Sequence, residues 1–154
     1  MAGDCCAQGS DVMILACSGG SNVGQLSNRA AVELTREGVG KMFCLAGIGG
    51  QLSGFVQSAR DVPKMVAIDG CSIGCAKACL DNARASAKTY LVLTDLGIEK
   101  NKDLEPNPED VAKVKDAVRK ALAGRCPCRV PDDSSTVSAR SGRCWPGCGP
   151  VPTW

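Results

Sequence analysis

Val12-Met13-Ile14-Leu15-Ala16-Cys17-Ser18-Gly19-Gly20-Ser21-Asn22 changes character after Ala16. The first five residues are apolar without interruption, the pattern of a strand covered on both faces in a parallel sheet. The next six are small and suit a tight loop. Beyond them Val23, Leu26, Ala30 and Leu34 recur at intervals of three and four, which places them on one face of a helix. Gly38 and Gly40 stop that helix. A strand, a loop and a helix therefore follow one another, and this order sets the expectation for the rest of the chain.

The unit repeats. A second strand is expected over Lys41 to Leu45, followed by the loop Ala46-Gly47-Ile48-Gly49-Gly50 and a helix from about Gln51 to Arg60. A third strand, Lys64 to Ile68, leads into Asp69-Gly70-Cys71-Ser72-Ile73-Gly74-Cys75 and a helix ending near Ala87. Thr89 to Thr94 reads as a fourth strand before Asp95-Leu96-Gly97. The last helix is well punctuated, with Asn107 as N-cap, Pro108 at the first helical position, and Glu109 and Asp110 at the positive end of the dipole. Val111, Val114, Val118 and Leu122 form its apolar stripe, and Gly124 ends it. Alternating strands and helices of this length imply a parallel sheet with right-handed crossovers. The expected fold class is α/β, a three-layer Rossmann-like or flavodoxin-like domain over residues 11–124 with a mostly parallel sheet of about four strands.

Composition narrows the function. The 154 residues hold 18 Lys and Arg against 16 Asp and Glu, spread rather than clustered, so nothing resembles a nucleic-acid footprint. Five aromatic residues are too few for a base-stacking platform. There are 11 cysteines and no histidine, which excludes a Ser-His-Asp triad, a Cys-His pair and any His-containing zinc site. The start Met1-Ala2-Gly3-Asp4-Cys5-Cys6 lacks the basic and apolar parts of a signal peptide, and Val12 to Cys17 is too short to span a bilayer. No membrane association is expected, and the cysteines are read as reduced thiols in a cytoplasmic setting. Residues 1–10 are expected to be a flexible N-terminus carrying Cys5 and Cys6 as free thiols. Residues 125–154, with five prolines, four serines and three glycines and no apolar period, are expected to be a flexible tail.

The cysteines are not scattered at random. Cys17 and Cys44 are 27 residues apart, as are Cys44 and Cys71, so successive units each place a thiol near the same end of a strand. In open parallel sheets, sites form outside the carboxyl ends of the strands. Cys71 and Cys75, four apart at an expected helix start, add a pair that one helical turn would bring to a common point. Cys17, Cys44, Cys71 and Cys75 are thus four thiolates, the number that a tetrahedral zinc site takes. The bland alternative is that each is a small buried hydrophobe. Cys79, one turn further on, is read as packing or as a substitute for Cys75. Asp69 and Asp95 are read first as caps of turns or helices, and as outer-shell acceptors second.

Two rival chemistries use the same residues. Cys17 or Cys71 could act as a nucleophile, or cycle through a disulfide with Cys75, and the four thiolates could equally hold an iron–sulfur cluster. Cys17 to Asn22 resembles the oxyanion loop of low-molecular-weight phosphatases, but Arg29 lies on the following helix rather than in the loop. In the tail, Cys126-Pro127-Cys128 and Cys144-Trp145-Pro146-Gly147-Cys148 are two close pairs without the usual two-residue gap of zinc sites.

Four motifs in order carry a family resemblance: Cys17 to Leu26, Phe43-Cys44-Leu45-Ala46-Gly47-Ile48-Gly49-Gly50, Asp69-Gly70-Cys71, and Thr94-Asp95-Leu96-Gly97-Ile98. Over roughly residues 11 to 122 the chain resembles the DGC-domain family of proposed zinc-binding proteins, named for its central Asp-Gly-Cys. The resemblance implies metal binding by Cys17, Cys44, Cys71 and Cys75 in a bacterial or archaeal cytoplasm. It implies no particular reaction or partner, and it does not extend to the tail.

Overall fold

Val12–Ala16 forms β1, and its five side chains are all buried. Ile14 points to one side of the sheet and Leu15 to the other, each fully enclosed; burying such a side chain contributes about 2 kcal/mol. The structure, a computed structural model, describes residues 11–123 of the chain. Residues 1–10, the tail and the six cysteines in those two segments lie outside the described residues.

Three further strands flank β1: β2 (Lys41–Met42), β3 (Lys64–Asp69) and β4 (Thr89–Val92), in the spatial order β2-β1-β3-β4. Every pairing is parallel, and β1 runs in register with β3 from Val12↔Lys64 to Ala16↔Ile68. Helix α1 (Asn22–Arg36) and helix α5 (Pro108–Ala123) cover one face, where Leu26, Ala30 and Leu34 meet Ile14, Val66, Val114 and Val118. The short α2 (Leu45–Gly49), α3 (Ser53–Asp61) and α4 (Cys75–Asn82) cover the other, with Ile48, Val56 and Leu80 against Leu15 and Ala67. This is a three-layer α/β fold. The expected cap at Asn107 holds, its Oδ1 accepting from Glu109 N at 3.0 Å, and Ser21, not read as a cap from the sequence, caps α1 by accepting from Gly24 N at 3.3 Å.

Several boundaries differ from the expectation. The second strand stops at Met42, because Cys44 Sγ accepts from Gly47 N at 3.4 Å and starts α2 where a glycine loop was expected. The fourth strand ends at Val92 and tightens into a 3₁₀ turn over Leu93–Leu96. Helix α4 begins at Cys75, so Cys71 lies in the preceding turn, where its carbonyl accepts from Gly74 N at 3.1 Å. Cys71 and Cys75 are therefore related by a turn and not by a helical repeat. The helix ends at Asn82, short of Ala87. Ala85 N bonds back to Leu80 O and Arg84 N to Asp81 O, which closes a Schellman motif with Arg84 left-handed at φ 52°.

The chain order reverses between β1 and β3, because β1 leads outward to β2 while β3 leads away to β4. Such a switch point opens a crevice at the carboxyl ends of the two strands. Gly70 lies at its base. A Cβ there would fall 2.8 Å from the backbone carbon and oxygen of Val23, so only glycine lets the first turn of α1 sit against β3. Gly70→Ala is expected to cost about 2 kcal/mol by overpacking, read as a lowered urea midpoint. Gly19→Ala, with nothing within 4 Å of its Cβ, is expected to leave the midpoint in place.

Candidate functional site

The crevice at the switch point is a cleft of about 390 Å³. Its walls include the Cys17–Ser21 loop, Leu45 and Ala46 of α2, and Gly70, Cys71, Ile73, Cys75 and Cys79. Among the sequence-predicted ligands, Cys17, Cys71 and Cys75 thus share one cavity. Cys44 caps α2 and is exposed, outside the cleft wall that its neighbours Leu45 and Ala46 build. Cys79 takes a place in the wall and packs against Gly49 of α2, where an added Cβ would meet its sulfur at 2.9 Å. All five are free thiols.

Cys17 is the most enclosed of them. Its backbone N–H extends the β1–β3 ladder to Ile68 O, and its sulfur accepts from Gly70 N at 3.0 Å. Ser27 Oγ lies 3.3 Å from the same sulfur and within 2.8 Å of two backbone carbonyls, Cys17 O and Gly24 O. Either the Ser27 hydroxyl or the Cys17 thiol can donate across the sulfur contact. Burial pushes the Cys17 thiol up, and the nearby charges of Asp69 and Cys75 add to this, against the opposing hydrogen bonds from Ser27 and Gly70. Burial likewise raises Cys79, helped by Cys75 and Asp69. Cys17 is held as a neutral thiol, a poor nucleophile unless something ionises it.

Asp69 holds the helix rather than a ligand. Its carboxylate is 1% exposed and accepts from Ala76 N at 2.8 Å, Lys77 N at 3.0 Å and Tyr90 Oη at 3.1 Å. Two N–H groups of the first turn of α4, which lack partners within the helix, are thereby satisfied. The capping role read from the sequence holds for Asp69. Asp95 is exposed in the 3₁₀ turn.

Sequence reasoning missed Lys100. Its Nζ donates to Cys71 Sγ at 3.4 Å, and it reaches the cleft because Asn22 grips the segment around it. Asn22 Nδ2 donates to Glu99 O at 2.8 Å, and Asn22 Oδ1 accepts from Asn101 N at 2.7 Å. The 77-residue separation of Asn22 and Glu99 hides that clamp from any local pattern. Lys100 thus sets a positive charge beside the Cys71 sulfur.

One family model, the DGC domain, matches residues 13–118, a span that includes all four strands (β1 from Met13 onward) and the cleft cysteines. The chain belongs to the DGC domain family. One relative is the "Anaerobic and virulence modulator AnvM" of Pseudomonas aeruginosa strain PAO1, 34% identical over 102 residues, which cover 66% of this chain and 78% of that protein. No solved structure gives a significant match. The structure explains each letter of the DGC motif: the aspartate caps α4, the glycine admits α1, and the cysteine enters the cleft.

A thiophilic ion suits the donors, since sulfur is what the cleft offers and Gly70 N–H and Lys100 already face two of the sulfurs. Among the described residues, no three Cys, Asp or Glu side chains are gathered closely enough to hold an ion in this arrangement. The donor chemistry fits zinc, while the sulfurs would have to close on it. No helix among the described residues is long and apolar enough to cross a membrane.

Two measurements follow. Alkylation by iodoacetamide at pH 7, with peptide mapping, is expected to modify exposed Cys44 and Cys75 first and Cys17 last; fast labelling of Cys17 would contradict its burial. Tyr90 is the chain's single tyrosine, and although its residue is 39% exposed, desolvation of the hydroxyl, with the charge and hydrogen bond of Asp69, pushes it up to about 12 from 10. The folded state thus favours the neutral phenol. That contribution to stability is complete below pH 10 and lost as the pH rises toward 12. Ultraviolet titration of the phenolate is expected to show a midpoint near 12, and Asp69→Asn to bring it back toward 10.

Proposed function

We propose that this DGC domain binds zinc through cysteine thiolates at the carboxyl edge of the sheet and serves as an accessory or carrier protein. The observation that carries the reading is the shared cleft: Cys17, Cys71, Cys75 and Cys79, from two strand ends and one helix, line a single cavity. Cys17, Cys71 and Cys75 supply three donors. The fourth is Cys44, from the rim above α2, with Cys79 as the competitor already in the wall. When bound, zinc would ionise thiols such as Cys17 that are neutral without it. Gly70 N–H then stabilises the Cys17 sulfur, Lys100 stabilises the Cys71 sulfur, and Asp69 keeps α4 in place beneath Cys75. Exposed Cys44 and Cys75 leave the site reachable from outside, which suits an ion that is handed on. Free thiols throughout the described residues suit a reducing, cytoplasmic compartment.

A second reading has one observation in its favour: the Lys100 ammonium lies 3.4 Å from the sulfur of half-buried Cys71 in the cleft. In it, Cys71 is the nucleophile or redox thiol and Cys75 its partner.

Elemental analysis and a visible spectrum of the full chain, purified without oxygen, separate the readings. About one zinc per chain without colour is expected, with most of it lost in Cys17→Ser and Cys71→Ser. An equal loss in Cys44→Ser names it the fourth donor, whereas retention there and loss in Cys79→Ser names Cys79. Brown absorbance with iron would replace zinc by an iron–sulfur cluster. Unchanged metal in both Cys17→Ser and Cys71→Ser would sink the thiolate site and favour the reactive Cys71.

A further inference from the structure

At the opposite, amino-terminal edge of the sheet is a second cleft, of about 290 Å³. The chain enters β3 and β4 there, and Arg60, Arg84, Ser86 and Lys88 line it with Met65 and Val62. No carboxylate is among its lining residues. Four cations elsewhere are paired with acids. Lys115 bonds Glu33 and Glu37, each at 2.8 Å, Arg119 bonds Glu37 and Asp116, Arg29 bonds Glu33, and Lys77 bonds Asp81. Among the described residues, no acidic side chain pairs with Arg60, Arg84 or Lys88. What sets these three apart is that they share one cavity whose lining holds no carboxylate.

All three residues are exposed, and one of the charges is held in place. Arg60, in the last turn of α3, donates its Nε to Ala83 O at 2.9 Å, so the guanidinium is oriented and its four other N–H groups remain. The dipoles of α3 and α4 account for a cation near each helix end. They do not account for Arg84, which occupies the left-handed position of the Schellman motif, at φ 52°. Glycine is the low-energy residue at that position. An arginine kept at a position that disfavours any Cβ points to a role for its side chain.

We propose that this cleft binds a small phosphate-bearing anion, of about the size of pyrophosphate, between Arg60, Arg84 and Lys88. Guanidinium groups match phosphate oxygens in pairs, and Lys88 adds a point charge. The cavity is at the small end of ligand sites, which suits a compact polar anion.

The test titrates inorganic pyrophosphate into the full chain by calorimetry at low salt, beside Arg84→Gly and Lys88→Gln. Glycine relieves the backbone at residue 84, so the melting temperature is expected to hold or rise while affinity falls at least tenfold. Lys88→Gln is expected to weaken binding similarly without unfolding the chain. ADP binding more tightly than pyrophosphate would identify a nucleotide as the source of the anion, and equal affinity the anion alone; either upholds the site. No binding by the unaltered chain overturns the proposal, as does equal affinity in both variants.

Discussion

The contact between Gly70 and the first turn of α1 is the constraint on which the rest of the site depends. With 2.8 Å from a notional Cβ to the Val23 backbone, the two strand-end loops are pressed together as closely as peptide chains allow. That closeness lets Gly70 N–H reach the Cys17 sulfur at 3.0 Å. It also sets Cys17 and Cys71 on facing walls of one cleft. A side chain at residue 70 would separate the loops, and the thiols would belong to two surfaces.

Around that contact the site concentrates negative or potentially negative groups. Asp69 is buried, and the thiols lie beside it. The fold balances this locally with N–H donors: Ala76 and Lys77 serve Asp69, and Gly70 serves Cys17. Lys100, brought in by the Asn22 clamp, serves Cys71. Burial wins over these donors at Cys17, whose thiol stays protonated. On the proposed reading, Cys17 gives up its proton only to an arriving cation.

The architecture was legible because its signals are local. The apolar run Val12 to Ala16, the spacing of Val23 to Leu34 and the capped start at Asn107 and Pro108 each reveal their element without reference to another. The 27-residue spacing pointed to the right edge of the sheet for Cys17, Cys44 and Cys71. What it could not reveal is depth. The second strand ends three residues earlier than its apolar pattern suggests, so Cys44 caps a helix at the rim while Cys79 enters the wall. Lys100 and Asn22 were invisible for a different reason: their roles arise from tertiary contacts spanning 29 and 77 residues. Arg84 carried no signal either, because Ala83, Ala85 and Ala87 are good helix formers and no glycine or proline marks the true end of α4.

The two outer strands are brief. β2 has two residues, and β4 has four before it curls into a 3₁₀ turn. A sheet edge of this length offers a passing chain too few unpaired backbone groups to add a strand of its own. For a molecule with several free thiols this has a particular value. Chance collisions between copies find no ladder to prolong them, so the sulfurs of neighbouring molecules spend little time side by side, and intermolecular disulfides have little opportunity to turn a brief encounter into an aggregate.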